Sequence, residues 1–451
     1  MRIAFLSTFF VGEYGVTRVL AAQMPLLAAA GHHVDLYACF LDKSLVANGV
    51  HAVRVPTHFK GLRECLQRGA YDVVVACTEQ FFSLVAGWKL DAVTVAYEHG
   101  YIPVELTIPE EREHHRQMIE ERVNRIYPAF DYVVTISRYA VDYIRWPAAF
   151  VLYNGADHFA KAVAPSGSVS AGKECAAGKD SALDLNCAAG EECNSSGHKT
   201  SGLVDGKDCA ADKDCVAGKD CAAPVRVLAI CRYRGIEWEG KGMDDFCRLK
   251  TDLGDRVDIT VVGGGDACTS KKLADAGVRG LGVVKDPAEM ARLYEDCDLL
   301  VSFSRCEMFN LPLAEAGFAH RPALALNVCA HPEVTPFVFD GYEGIRDYIA
   351  GATPESLRAD GEKMFAFVDA RFRWEMNAQR FLEFLERISK PADSVNPANA
   401  AGISKPENAP RKSAPRSPKK SRRPSPLFYV RWAFWQGREF VRNTLRKVAG
   451  R

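Results

Sequence analysis

Short, near-continuous apolar runs constrain the fold of this chain more than any other feature. Residues 3–9, 34–40, 73–77, 93–97 and 132–136 are such runs, separated by segments with helical spacing or loop composition. Strands that are apolar at consecutive positions must be covered on both faces, which describes a parallel sheet between layers of helices. Residues 17–30 read as the first connecting helix, with Val19, Leu20, Leu26 and Leu27 on one side and Gly31 as its stop. The pattern restarts at Val225, with strands at 225–231, 259–262, 299–303 and 323–326 and helices at 243–249, 287–294 and 311–319. A chain of 451 residues exceeds one compact core. The expectation is an α/β protein with two domains of similar size, residues 1–158 and 225–388.

Residues 159–224 are foreign to both halves. Ala, Gly, Lys, Asp, Ser and Cys dominate, and the cysteines fall on two six-residue grids: Cys175, Cys187 and Cys193, then Cys209, Cys215 and Cys221. Too little apolar surface is present to offset chain entropy, so this insert is expected to be disordered. A tolerated repeat expansion and a metal-binding or redox role both fit such a segment. The other nine cysteines are scattered singly, the pattern of small buried hydrophobes in a reducing compartment, and no Cys-x-x-Cys pair supports a zinc ribbon.

Lys plus Arg and Asp plus Glu are equal at 57 each, but the balance is uneven. Residues 389–426 are a basic linker rich in Pro and Ser. In 427–451 an apolar stripe (Leu427, Val430, Phe434, Val441, Leu445, Val448) runs beside an arginine stripe (Arg431, Arg438, Arg442, Arg446), flanked by Trp432 and Trp435. A basic amphipathic helix of this kind fits an anionic membrane surface, docking on protein, or nucleic acid. The membrane surface is the favoured partner and nucleic acid the least favoured. The apolar N-terminus reads as a first strand rather than a signal peptide, and no apolar run reaches eighteen residues. The expected location is the cytoplasm, peripheral at the inner face of a membrane.

The chemistry is concentrated in residues 302–316. Two glutamates, Glu307 and Glu315, stand with seven residues between them on a loop that enters a helix at Pro312. Free backbone N–H groups at a helix start favour phosphate, and carboxylates beside it accept hydrogen bonds from sugar hydroxyls.

This stretch resembles the Glu-x7-Glu motif of the retaining family 4-like glycosyltransferases, which have the GT-B fold. Glu307, Phe309, Leu311, Pro312, Glu315 and Ala316 stand in register with it. Met308 and Asn310 depart from it, where that family commonly has Gly. Other pieces follow in family order. The segment from Gly12 through Gly15 to Arg18 is similar to its Gly-Gly-x-x-Arg loop, and Tyr97-Glu98-His99 ends a strand where the family has a donor-side His. Asn154-Gly155-Ala156-Asp157 is similar to its Asn-Gly-x-Asp segment. Arg232 and Lys241 stand where an Arg and a Lys bind the donor diphosphate, across a loop containing Glu237 and Glu239 that is longer than usual. Arg234 is an alternative to Arg232. Val262-Gly263-Gly264-Gly265 is similar to the glycine loop near the nucleotide, Asp296-Cys297-Asp298 and Pro332-Glu333-Val334 also match, and Arg373-Trp374-Glu375 resembles the step into a last helix that crosses back to the first domain.

The resemblance implies two Rossmann-like domains facing a cleft, and transfer of a sugar with retention from a nucleotide-diphosphate sugar to an unidentified acceptor. It implies His99, Glu307, Arg232 and Lys241 as catalytic residues, and Gly15, Gly263, Phe309, Asn310, Leu311 and Glu315 as donor-binding residues. Glu315 would hold ribose hydroxyls. No metal or other cofactor is expected, and Asp296-x-Asp298 reads as structural. The acceptor expected from membrane proximity is a glycan, a glycolipid or another envelope component. Two alternatives remain: a GT-B relative that does not transfer, of epimerase or phosphorylase type, and a membrane-associated scaffold without catalysis.

Overall fold

The computed structural model describes residues 1–12, 14–100, 112–159, 223–235 and 237–389. Nearly all of the insert, the basic linker and the amphipathic segment at 427–451 lie outside the described residues.

Seven parallel strands form the first sheet: β1 (Arg2–Phe10), β2 (His33–Leu41), β3 (Val50–Arg54), β4 (Val73–Ala76), β5 (Val93–Glu98), β6 (Tyr132–Thr135) and β7 (Phe150–Val151), in the order β3-β2-β1-β4-β5-β6-β7. Six more form the second: β8 (Val225–Ile230), β9 (Val257–Val262), β10 (Arg279–Gly282), β11 (Leu299–Ser302), β12 (Ala323–Leu326) and β13 (Phe337–Phe339), in the order β10-β9-β8-β11-β12-β13. Both orders reverse beside their first strand, so each domain is doubly wound and opens its crevice at the carboxyl ends of its strands. The apolar runs became the central strands. β3, β7, β10 and β13, which the sequence reading did not include, are short and lie in the outer parts of the sheets. There burial is partial and the hydrophobic signal correspondingly weak.

Burial follows from coverage on both faces. Ile3, Phe5, Val73, Val75 and Val95 are inaccessible to solvent in the first sheet, as are Ile259, Val261, Leu299 and Leu324 in the second. The last helix, Trp374–Ser389, leaves the second domain and packs on the first. Phe381 meets Phe5 edge-on and Phe384 stacks on Phe150 at 4.4 Å. The start of that helix is anchored in the first domain too: Trp374 N–H donates to Asp157 at 2.8 Å, and its indole N–H donates to His158 Nδ1 at 3.2 Å. Asp298, in the Asp-x-Asp segment, is structural. It accepts the Arg226 backbone N–H at 2.8 Å and pairs with the Arg226 guanidinium.

Candidate active site

Glu307 and Lys241 face each other where the loop after β11 meets the loop before the Met243–Leu253 helix. Lys241 Nζ donates to Glu307 Oε1. Burial works against both charges, yet each outweighs it for the other: the Lys241 ammonium titrates above its ordinary value and the Glu307 carboxyl below. Arg232 lies close enough that its charge acts on Lys241. Its own Nε is 3.0 Å from Glu237 Oε1, and Arg234 Nε is 3.9 Å from Glu237 Oε2. The long loop therefore holds an acidic residue between the two arginines. Cys231 sits within the fields of Lys241, Glu307 and Glu237.

The loop from Glu307 runs directly into the Leu311–Phe318 helix. Asn310 precedes it in the left-handed region, at φ 62° and ψ 70°. This is the conformation for which glycine is the usual residue, and asparagine tolerates it. The Asn310 amide donates to Ser302 Oγ at 2.9 Å and lies 3.0 Å from His331 Nε2, while His331 Nδ1 lies 2.8 Å from the Leu326 carbonyl. With Nδ1 donating to that carbonyl, Nε2 is the acceptor for Asn310. Burial holds the His331 imidazole below its ordinary value, so it is neutral. Leu311 begins the helix. Phe309 turns its ring into the core, edge-on to Phe372 at 5.1 Å, and the residue as a whole is 2% exposed.

Glu315 has surroundings that the sequence reading did not anticipate. It was expected to reach a ribose, but it is 1% exposed and surrounded by protein side chains. Arg18 Nη1 donates to Oε1 at 2.9 Å, His158 Nε2 lies 3.0 Å from the same oxygen, and the Tyr294 hydroxyl donates to Oε2. Burial raises the carboxyl's pKa, but these partners more than reverse it and hold Glu315 down to about 2.

Across the cleft, His99 follows β5 at the carboxyl end of the first sheet. Its ring stacks on Tyr97, with centroids 4.1 Å apart, and neither ring nitrogen has a partner among the described residues. Burial lowers its pKa to about 3, so the ring is neutral. The next residue, Gly100, has φ +95° and lies so close to Met308 that a Cβ there would be 2.4 Å from Met308 Cγ. The donor-side loop therefore touches the His99 turn directly.

Gly15 opens the first helix, Gly15–Ala29, with free space about it. Gly263 has a packing reason of its own. At φ +140° a Cβ would stand 1.9 Å from the Cys231 carbonyl oxygen.

Lys241, Glu307, Arg232 and the Asn310 turn are thus gathered at one place, with His99 on the facing turn and Glu315 deeper, toward Arg18. Arg18, His158, Tyr294 and His331 were not among the expected site residues. His158 and His331 flank segments that were recognised, at Asp157 and Pro332, and adjacency was the only signal they carried. Among the described residues, no group of three or more His, Cys, Asp and Glu side chains is placed to hold a metal ion. No described helix is long and apolar enough to cross a membrane.

Residues 14–158 match the family model described as Glycosyltransferase Family 4, and residues 225–357 match that of Glycosyl transferases group 1. The chain belongs to the family 4-like GT-B glycosyltransferases.

Solved structures share the fold of this glycosyltransferase. Sucrose-phosphate synthase from Thermosynechococcus elongatus is 15% identical with a TM-score of 0.57, covering 86% of this chain and 98% of its own. The Anabaena protein HepE, in complex with UDP and glucose, is 14% identical with a TM-score of 0.59 and covers 86% and 100%. A glycosyltransferase from Rickettsia africae is 13% identical with a TM-score of 0.57 and covers 87% and 99%. No curated protein matches the glycosyltransferase.

Proposed function

We propose that this glycosyltransferase takes its sugar from a nucleotide-diphosphate donor, retains the anomeric configuration, and needs no metal ion. The observation that carries the reading is the Lys241–Glu307 pair, with Arg232 beside it, at the turn into the Leu311–Phe318 helix. A diphosphate leaving group gains negative charge as the glycosidic bond breaks. Lys241, Arg232 and the helix N-terminus supply fixed positive charge for it. Lys241 would shift part of its bonding from Glu307 to phosphate, freeing a carboxylate oxygen for sugar hydroxyls. His99, neutral and with neither nitrogen partnered among the described residues, suits hydrogen bonding to the sugar from the facing domain. Glu315 can hold a ribose only by exchanging one of its present partners. Arg18, half-exposed and carried by the other domain, is the one that leaves most readily. Retention by front-face attack requires a base on the leaving-group side, and the departing phosphate serves. The acceptor is proposed to be a glycan, a glycolipid or another envelope component.

A uridine nucleotide is the first donor to try, because HepE is described with UDP. The test is a thermal-shift and turnover screen of the full chain across nucleoside diphosphates and their sugars, with and without EDTA. The expected result is stabilisation by one nucleoside diphosphate and turnover of its sugar that EDTA leaves unchanged, with the product anomer matching the donor by NMR. Abolition of turnover by EDTA would overturn the metal-free reading, and an inverted product the retaining one. Binding without turnover by any donor would favour a non-catalytic protein.

A further inference from the structure

Two cysteines, neither used by the proposed chemistry, meet beside Glu307. Cys306 precedes it in the loop after β11. Cys329 follows β12, in a left-handed turn at φ 53°. The Ala330 backbone N–H donates to the Glu307 carbonyl at 3.2 Å, which holds the two segments side by side. Cys329 Sγ lies 3.8 Å from the carbonyl of Arg305, the residue before Cys306, and the Tyr139 hydroxyl of the first domain lies 3.8 Å from Cys306 Sγ. Both are partly exposed, whereas Cys39, Cys77 and Cys297 are buried.

We propose that Cys306 and Cys329 are a reversible redox site that reacts with a low-molecular-weight disulfide and closes into an intramolecular disulfide that weakens donor binding. The link to donor binding rests on the function proposed above; the cysteine chemistry does not. The Cys329 thiolate attacks one sulfur of R–S–S–R, forming a mixed disulfide and releasing one thiolate, which takes up the Cys329 proton. Cys306 then attacks the Cys329 sulfur, gives up its own proton, and expels the second RSH. The protein loses two electrons and two protons, and the small disulfide becomes two thiols. Cys306 beside it holds the Cys329 thiol below its ordinary value, which favours Cys329 as the attacking sulfur, while Cys306 is held above. A disulfide brings its sulfurs to ~2.05 Å, well inside the separation of two unbonded thiols. Closure therefore pulls on the residue next to Glu307 and removes the Cys306 thiol from Tyr139.

The test uses the full chain, equilibrated at graded ratios of glutathione disulfide to glutathione, quenched with iodoacetamide and mapped by peptide mass spectrometry. UDP affinity is measured in parallel by calorimetry. The expected result is a cross-linked peptide joining Cys306 and Cys329 and an affinity loss of about tenfold or more, reversed by dithiothreitol. C306S and C329S should bind UDP as the reduced wild type does and lose the response. Glutathionylation of Cys65 and Cys268 without the 306–329 cross-link would overturn the site. A cross-link that leaves UDP affinity unchanged would overturn the coupling. If the reduced chain binds no nucleotide, the donor reading fails, and the cross-link map still decides the cysteine pair.

Discussion

Arg18, on the first helix of the first domain, places Nη1 2.9 Å from the buried Glu315 carboxylate of the second. Together with Tyr294 and His158 it keeps Glu315 ionised against the pull of burial toward the neutral form. The two domains are tied elsewhere by a neighbouring device. Glu333 accepts the backbone N–H groups of Arg138 and Tyr139 at 2.8 and 2.7 Å, and the Tyr153 hydroxyl at 2.9 Å. A carboxylate from one domain thereby caps the Arg138–Tyr143 helix of the other.

Glu315 makes stability depend on acid in a definite direction. Its folded value, about 2, lies below its ordinary 4.5, so its contribution is present above pH 4.5 and lost as the pH falls through 2. That difference corresponds to roughly 3 kcal/mol. Wild type should be more stable than Glu315→Gln at pH 7, and the gap measured by urea unfolding should narrow below pH 4.5. Arg18→Ala should cost about 2 kcal/mol at pH 7, less than loss of a fully buried ion-pair partner, because Tyr294 and His158 remain.

Lys241→Ala and Glu307→Gln should each lower turnover about 100-fold or more if, as proposed, both groups act where charge develops. Steady-state kinetics with the donor found in the nucleotide screen will check this. Wild-type rates in both variants would remove the pair from the mechanism.

Two glycines should separate packing from ligand approach. Gly263→Ala places a methyl group against the Cys231 carbonyl and should destabilise the fold by about 3 kcal/mol or more, seen as a lower Tm. Gly15→Ala meets no atom within 4 Å, so its Tm should be unchanged. Any fall in its nucleotide affinity then reports how closely a ligand approaches that turn.

Asn310 should tolerate glycine better than alanine. Asn310→Ala loses the bonds to Ser302 and His331 and adds left-handed strain, together about 2–3 kcal/mol. Asn310→Gly keeps the backbone relaxed and should cost about 1 kcal/mol, the loss of the amide alone. Chemical denaturation of the two variants gives the comparison.

The central strands were legible because hydrophobic runs are local. β1, β4, β5, β9 and β11 appear within a residue or two of where the sequence puts them. β3, β10 and β13 were not legible, because edge strands are completed by neighbours rather than by their own composition. The loop from Glu307 to Ala316 was legible as a string, and Lys241, Glu307 and Asn310 do come together. Phe309 was legible as a motif residue, but its ring belongs to the core beside Phe372. Glu315 was legible as a second carboxylate, but the positions of Arg18, His158 and Tyr294 around it were not.

The sequence by itself determined two α/β domains with parallel sheets, the loop that joins Glu307 to a helix start, and the family to which these belong. All three rest on residues close in the chain: the sheets and the loop follow from burial on both faces and from backbone geometry, and the family from the resemblance its motifs carry. Only the tertiary structure decided which charge answers which: Lys241 with Glu307, Arg18 with Glu315, Glu333 with the amide ends of a helix in the other domain. Those partners lie far apart in sequence: Lys241 and Glu307 meet where loops of the second domain converge, the other two because one domain packs on the other, and in a buried setting the nearest opposite charge sets how each group ionises.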